Sequence, residues 1–243
     1  MIKDKYKKFF LNIENIYFAK KIVKSNADIT IYHQCIEKGL LNVKFISPII
    51  DLSENILKIE ENFRKSLRNE IKYANKNYKI DTKFEPNICD NLISDFRNFY
   101  GPFSRKKSIP DADYSKLERL KENIIITFAK HEDKYIVWHL YLADTKKLRL
   151  LYSASLLSEN KDEAKLIIRA NKMLHYRDIV LAKEKGFLEY DLGGVNLNDK
   201  KCEGINKFKF AFSKDTSMTN NFIIANTFPG KILLLFSRIL GRN

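Results

Sequence analysis

His139 sits inside an apolar run, Trp138-His139-Leu140-Tyr141. Histidine is the side chain whose ordinary pKa lets it act as a base near neutral pH, and the run reads as a strand on which Tyr135, Val137, His139 and Tyr141 share a face. A hydrogen-bonded structural histidine fits the same place, and that reading is preferred. His175 falls early in a helical pattern, where it either meets phosphate or packs in the core; packing is preferred. Further on, Tyr190-Asp191-Leu192-Gly193-Gly194 ends a short apolar strand in two glycines. Bare backbone there lets a ligand come close. Asp191 either orients an amine or caps the turn, and Asn196 is a candidate polar contact to a ligand. Cys35, Cys89 and Cys202 are far apart and lack Cys-x-x-Cys spacing, so neither a metal site nor a disulfide framework is expected. A catalytic Cys202 is the less favoured alternative to three reduced thiols.

Positioning these residues takes a helix, a strand and a sheet. Met173, Leu174, Ile179, Leu181 and Ala182 recur at helical spacing, Lys183 and Lys185 lie in the last turn, and Gly186 follows as a stop. Phe187–Leu192 then reads as a strand. Residues 123–130, 134–143 and 147–155 are rich in β-branched and aromatic residues and are joined by short polar turns, which predicts a three-stranded meander. Upstream, the pattern predicts a basic helix over 6–24 and short apolar runs at 29–32 and 43–46. A helix capped by Ser53 is expected to carry Ile56, Ile59, Phe63 and Leu67 on one face. A strand over 78–84, a helix over 92–100 broken by Gly101-Pro102, and a helix over 114–121 complete this half. Residues 221–226 read as a last strand. Residues 229–240 read as an amphipathic helix whose run Ile232–Phe236, with Lys231, Arg238 and Arg242, can touch a membrane surface or pack against the N-terminal segment. Packing is preferred.

Composition sets the outer limits. A chain of 243 residues, 44% hydrophobic, can build one large domain or one domain with a small addition. No run of about 20 apolar residues exists to cross a bilayer, and the charged N-terminus does not read as a signal peptide, so a cytoplasmic protein is expected. Lys and Arg number 44 against 30 Asp and Glu, a formal charge of +14. Lysine dominates and is scattered, with no basic block interleaved with aromatics as in a single-strand-binding surface. That absence counts against nucleic acid, and the surplus would favour polyphosphate ligands.

Several segments, in order, resemble the GNAT superfamily of acyltransferases and, within it, the FemAB-like branch. They are Leu67-Arg68-Asn69-Glu70-Ile71-Lys72-Tyr73-Ala74-Asn75-Lys76, Asn171–Tyr176, Ala182–Gly186, Tyr190–Gly194 and the pair Phe208-Lys209. The resemblance implies an α/β (α+β) fold, with a mixed central sheet flanked by helices and a small N-terminal extension. The division would be 1–50 as the extension, 51–228 as the acyltransferase domain and 229–243 as the C-terminal helix. In such enzymes two neighbouring strands splay around the pantetheine arm of coenzyme A, and its pyrophosphate meets the next helix N-terminus, where unpaired N–H groups favour an anion. The splayed strands would be 147–155, with Tyr152 and Ser153 lining the groove, and 187–192, leading to Gly193 and Gly194. The helix would open near Arg169, with Asn171 and Lys172 beside the cofactor. Lys209 matches the lysine that FemAB-like transferases keep near the reacting centre, and His175 joins it as a candidate substrate contact. His139, Asp191 and Asn196 are the candidate catalytic residues. This chain has no glycine in Ile167–Lys172, where standard GNAT acetyltransferases carry a glycine-rich loop. The FemAB-like branch also lacks that loop, and some of its members use aminoacyl-tRNA.

Three functions stand, the first two implied by this resemblance and the third by the charge. The first, the preferred reading, is transfer of an acetyl or 3-hydroxybutyryl group from acyl-coenzyme A to a nucleotide-linked 3-amino-3,6-dideoxy sugar, a thymidine-diphosphate sugar in the GNAT-type sugar N-acyltransferases of bacterial surface polysaccharides, which the chain resembles in size and motif order. The second is aminoacyl-tRNA-dependent transfer to a cell-wall peptide. The third is a non-enzymatic basic binding module. No metal is implied, and a homodimer is compatible with the sequence.

Overall fold

A computed structural model describes residues 1–86 and 88–240. Packing divides the chain into two compact units, one of Met1–Ser47 with the residues from Ser217 onward, the other of Pro48–Thr216.

The first unit opens with a hairpin, not the basic helix expected over 6–24. Strand β1 (Ile2–Lys8) pairs antiparallel with β2 (Leu11–Tyr17), from Ile2 opposite Tyr17 to Lys8 opposite Leu11. The period is that of a strand: Ile2 and Asp4 point inward while Lys3 and Lys5 point out, and within the expected helix Leu11 and Ile13 are buried on either side of exposed Asn12, an alternation of two that a helix cannot use. The inward polar groups are partnered, with Asn15 Nδ2 donating to Asp4 Oδ2 at 3.1 Å and Lys3 and Lys5 reaching buried Glu14. The turn is Phe9-Phe10, and Phe9 has φ 55. A bulky residue in that left-handed region costs about 1–2 kcal/mol. Strand β3 (Ile29–Cys35) lies parallel to β2.

The division between the units falls inside β4 (Asn42–Asp51). In the second unit the chain continues through α1 (Ile56–Asn62) and α2 (Lys65–Asn77). The single helical face expected across Ile56–Leu67 is interrupted because Phe63 is extended, and Asn55, not Ser53, caps α1 by accepting from Lys58 N. Edge strand β5 (Asp81–Glu85) leads to α3 (Asp90–Lys107), which runs through Gly101-Pro102 instead of breaking there. Its buried face, Phe96, Tyr100 and Ser104, packs under the sheet and holds the turn that proline would otherwise open. Helix α4 (Tyr114–Arg119) precedes the meander β6 (Ile124–His131), β7 (Lys134–Ala143) and β8 (Lys147–Ser155). Helix α5 (Lys161–Glu184), strand β9 (Glu189–Asp191) and helix α6 (Glu203–Lys209) follow.

In this unit the strand order is β4-β9-β8-β7-β6-β5; β9 is parallel to β8 and the other neighbours are antiparallel. One sheet face carries α5, whose Ile167, Ala170 and Leu174 pack on Ala129, Ile136 and Val137. The other carries α3, with Phe96 against Trp138 and Tyr152. A bulge at Ile136 puts two residues of β7 opposite one of β6. Tyr135 is therefore turned onto the α3 face beside Trp138, away from His139.

The chain then returns to the first unit through β10 (Thr216–Ala225), antiparallel to β3, and α7 (Phe228–Leu240). Tyr32 and Phe222 stack at 4.6 Å in that unit's core. Arg242, expected at the end of the last helix, lies outside the described residues. Among the described residues no helix is long and apolar enough to cross a membrane, and no cluster of His, Cys, Asp or Glu is arranged to hold a metal.

Candidate active site

The opening between β8 and β9 is made by their own registers. Their ladder runs from Lys147 opposite Glu189 to Arg149 opposite Asp191 and stops there, while β8 continues to Ser155. Leu151 is bulged against β7, which bends β8 where it loses β9. The chain leaves β9 through Leu192 into Gly193 and Gly194. Gly193 has φ +79, and a Cβ there would sit 2.9 Å from the Leu150 carbonyl oxygen, so only glycine lets the two backbones lie this close. Asp191, fully buried, accepts from Gly193 N at 2.8 Å and meets Lys147 at 3.1 Å.

Lys209, at the end of α6, reaches this opening. Its Nζ donates to the Gly194 carbonyl oxygen at 2.7 Å and lies close to Gly193. Burial pushes the Lys209 ammonium down to about 8; Asp191 opposes the shift and Arg149 adds to it. The side chain is only partly covered, so it can meet a substrate.

Beneath the opening lies a buried polar network. Asp178 Oδ2 accepts from Thr127 Oγ1 at 2.9 Å and Tyr141 OH at 2.6 Å, and lies 2.8 Å from His139 Nδ1. Tyr141 OH is 2.7 Å from Tyr190 OH, which is 2.7 Å from His175 Nδ1. One proton order satisfies the chain: His175 donates to Tyr190, Tyr190 to Tyr141, and Tyr141 to Asp178. Asn171 Oδ1 lies 2.8 Å from His139 Nε2, and the two imidazole rings are 4.0 Å apart. Burial, then the nearness of His139, pushes the His175 imidazole well below the ordinary histidine range and keeps it neutral. His175 Nε2 has no hydrogen-bond partner and is enclosed with Phe208 and Phe212.

The candidate residues thus fall into groups. His139, Asn171 and His175 belong to the buried network, and Ser153 shares its face, directly opposite His139. Asp191, Gly193, Gly194 and Lys209 meet at the opening. Tyr152 points to the other face, where its hydroxyl accepts from Asp113 N at 3.2 Å. Asn196 is exposed and accepts from Asn198 N. Cys202 contacts Asp199 at 3.7 Å. The expected helix opening near Arg169 is corrected: α5 begins at Lys161, and Arg169–Lys172 lie two turns or more inside it. Ala164, Ile167 and Ala170 continue the apolar stripe backwards, and Asn160 caps it. Arg169 donates to Tyr78 OH at 2.9 Å and stacks on Tyr73, while Lys172 pairs with Glu70, so both face α2. Thr127, Tyr141, Asp178 and Tyr190 were not expected as partners, although an aspartate at Asp178 on the apolar stripe of α5, four residues after Leu174, is a readable anomaly.

His139 is completely covered and touches only other members of this network by hydrogen bonds, so it has no path to a substrate proton. His139→Ala is expected to lower kcat less than about a hundredfold, below the upper range for loss of a general base. Steady-state kinetics on the folded variant checks this.

Three antiparallel strands, a long helix and a parallel strand that parts from the third make a GNAT/FemAB-like fold. No family model matches the chain, and no curated protein matches it. Among solved structures the chain is similar to FemX, at 15% identity and a TM-score of 0.58, covering 79% of this chain and 63% of FemX, less than two thirds of its length. It is also similar to the C-terminal domain of an Agrobacterium fabrum protein assigned as a lysylphosphatidylglycerol synthetase, at 10% identity and 0.56, covering 87% and 72%. A third similar structure is L-PGS from Bacillus licheniformis, at 13% and 0.54, covering 88% and 74%. At these identities the likeness is one of fold.

Proposed function

We propose that the second unit is an acyltransferase that forms an amide at the β8–β9 opening, with Lys209 as proton donor to the leaving group. The observation that carries this reading is the partly buried lysine, its ammonium pushed down to about 8, held 2.7 Å from the Gly194 carbonyl where the strands part. The acceptor nitrogen attacks the acyl carbon, the new N–C bond forms, and the bond to the leaving group breaks. Lys209 gives its proton to the departing atom and recovers one from the acceptor nitrogen through water. A donor pKa near the working pH suits that exchange, and the ammonium also favours the oxyanion that precedes it.

An aminoacyl ester of tRNA is the donor best supported. A ribose alkoxide leaves poorly without a proton, whereas a coenzyme A thiolate leaves readily as an anion. The start of α5 also disfavours a diphosphate. Asn160 already accepts from Asp162 N and Glu163 N, and both of those residues are acidic. A hydrogen bond from Ser158 holds the Glu163 carboxyl below its usual range, so it is charged.

A second reading, acyl-coenzyme A to a nucleotide-linked amino sugar, draws on one feature. A cleft of about 760 Å³ beside the start of α5 is lined by the aromatic and cationic Tyr73, Tyr78, Lys165 and Arg169, on which a base could stack, together with the acidic Glu132, Asp162 and Glu163. Calorimetric titration with coenzyme A at low and moderate salt separates the two. No saturable binding is expected, together with tighter filter retention of aminoacyl-tRNA than of the same tRNA deacylated. Unit-stoichiometry binding of coenzyme A that persists at moderate salt overturns the tRNA reading in favour of the second.

A further inference from the structure

The first unit holds a feature that acyl transfer does not use. Phe9 and Phe10 form the whole turn between β1 and β2 and are 84% and 80% exposed. With φ 55, Phe9 occupies a place where a hairpin turn ordinarily takes glycine. The fold gains no burial from either ring and bears the strain of one. Strain of this kind, kept at an exposed position, points to a use outside the fold.

The same end of that unit collects a second apolar element. Strand β2 runs parallel to β3 with Ile13 opposite Ile29, and β10 runs antiparallel with Ala225 opposite Ile29. The Phe9-Phe10 turn and the start of α7 therefore lie at one end of the sheet. Asp28 joins them: its N donates to Asn12 O, its carboxylate accepts from Asn12 N and Thr227 Oγ1, and its carbonyl accepts from Asn226 N. Beyond Thr227, α7 presents exposed Phe228, Ile232 and Leu235. Lys7 and Lys8 flank the turn, and Lys231 lies among the apolar residues of α7; all three are exposed.

We propose that this end of the first unit docks on an anionic lipid bilayer, with Phe9, Phe10 and the start of α7 entering the headgroup boundary and the lysines meeting lipid phosphate. Apolar rings ringed by lysine match a surface that is negative outside and apolar within. Single-stranded nucleic acid fits less well. It is bound where aromatic rings line a cationic groove that follows the strand, whereas these rings project from a two-residue turn.

Sedimentation of the full chain with vesicles tests the proposal. Binding is expected to phosphatidylglycerol–phosphatidylcholine vesicles and to be at least about tenfold weaker to phosphatidylcholine alone. The pair Phe9→Gly and Phe10→Ser relieves the turn, so the melting temperature holds or rises, yet vesicle affinity falls at least about tenfold. In Phe10→Trp, emission shifts to the blue on binding and is quenched by brominated lipid, while buried Trp138 supplies a constant background. Absence of binding to anionic vesicles, binding that the paired Phe9 and Phe10 substitutions leave intact, or emission from the Phe10→Trp variant that answers to RNA and not to vesicles overturns it. None of these outcomes depends on the acyl-transfer reading.

Discussion

Lys209→Ala is expected to lower kcat by about 10²–10⁴-fold, the range for a lost general acid, with the fold retained. The size follows from position. Lys209 is the cation whose Nζ stands at the Gly193-Gly194 turn, and burial has brought its ammonium to about 8. The direction of the pH profile separates its two conceivable roles. As proton donor it works while charged, so kcat stays level below about pH 8 and falls above it; as a base it would work while neutral, and kcat would rise through the same region. A falling limb near 8, absent in Lys209→Ala, is the expected result. Lys209→Arg should not restore the rate, because a guanidinium does not release its proton near neutral pH. Stability runs the other way: a lysine whose folded pKa lies below its unfolded value opposes folding at low pH, and the opposition fades as pH rises past 8. A loss of activity above pH 8 therefore cannot be put down to unfolding through this group. A pH–rate series on the wild type and both variants decides the matter, and a rising limb would reassign Lys209 as a base.

The sequence carried the meander well because its strands are continuous β-branched and aromatic runs bounded by polar turns; 134–143 and 147–155 coincide with β7 and β8. The Gly-Gly strand end and the Phe208-Lys209 pair were legible as motifs, but not their meeting, since Lys209 comes back to Gly194 across a loop and a short helix. Periodicity failed where one residue changes its phase. The bulge at Ile136 turned Tyr135 away from His139, and Lys7 and Lys8, read as the start of a helix over 6–24, end strand β1. Pro102 misled in the opposite sense: local preference says break, and the buried face of α3 overrides it. Asp178 shows a deeper limit. Its charge marks it as odd on an apolar stripe, yet its partners come from β6 and β7, and no local pattern names them.

That carboxylate is where the largest loss of stability should lie. Asp178→Ala is expected to destabilise the protein by about 3–5 kcal/mol, the cost of leaving buried polar partners without their counterpart. Three donors converge on one Asp178 oxygen, from Thr127, Tyr141 and His139, and each is fully buried. Removal takes the shared acceptor from all three at once. Asp178→Asn keeps the shape and some acceptor capacity but turns a nitrogen toward part of the network, so a smaller loss, about 1–3 kcal/mol, is expected. Urea denaturation of both variants measures the difference. The His139→Ala and Asp178→Ala double variant should lose less than the sum of the single losses, because each removes the other's stranded partner. The network also has a reach into the site. Tyr190 precedes Asp191, and its hydroxyl ties β9 to Tyr141 and His175. Loosening that tie frees the strand that sets Gly193 against Leu150, so under the proposed acyl transfer a folded Asp178→Asn variant should show a reduced kcat whose limb near pH 8 is unmoved. A stability loss under about 1 kcal/mol in Asp178→Ala would mean that the three donors find other partners, and the network would then be a consequence of the packing and not a support for it.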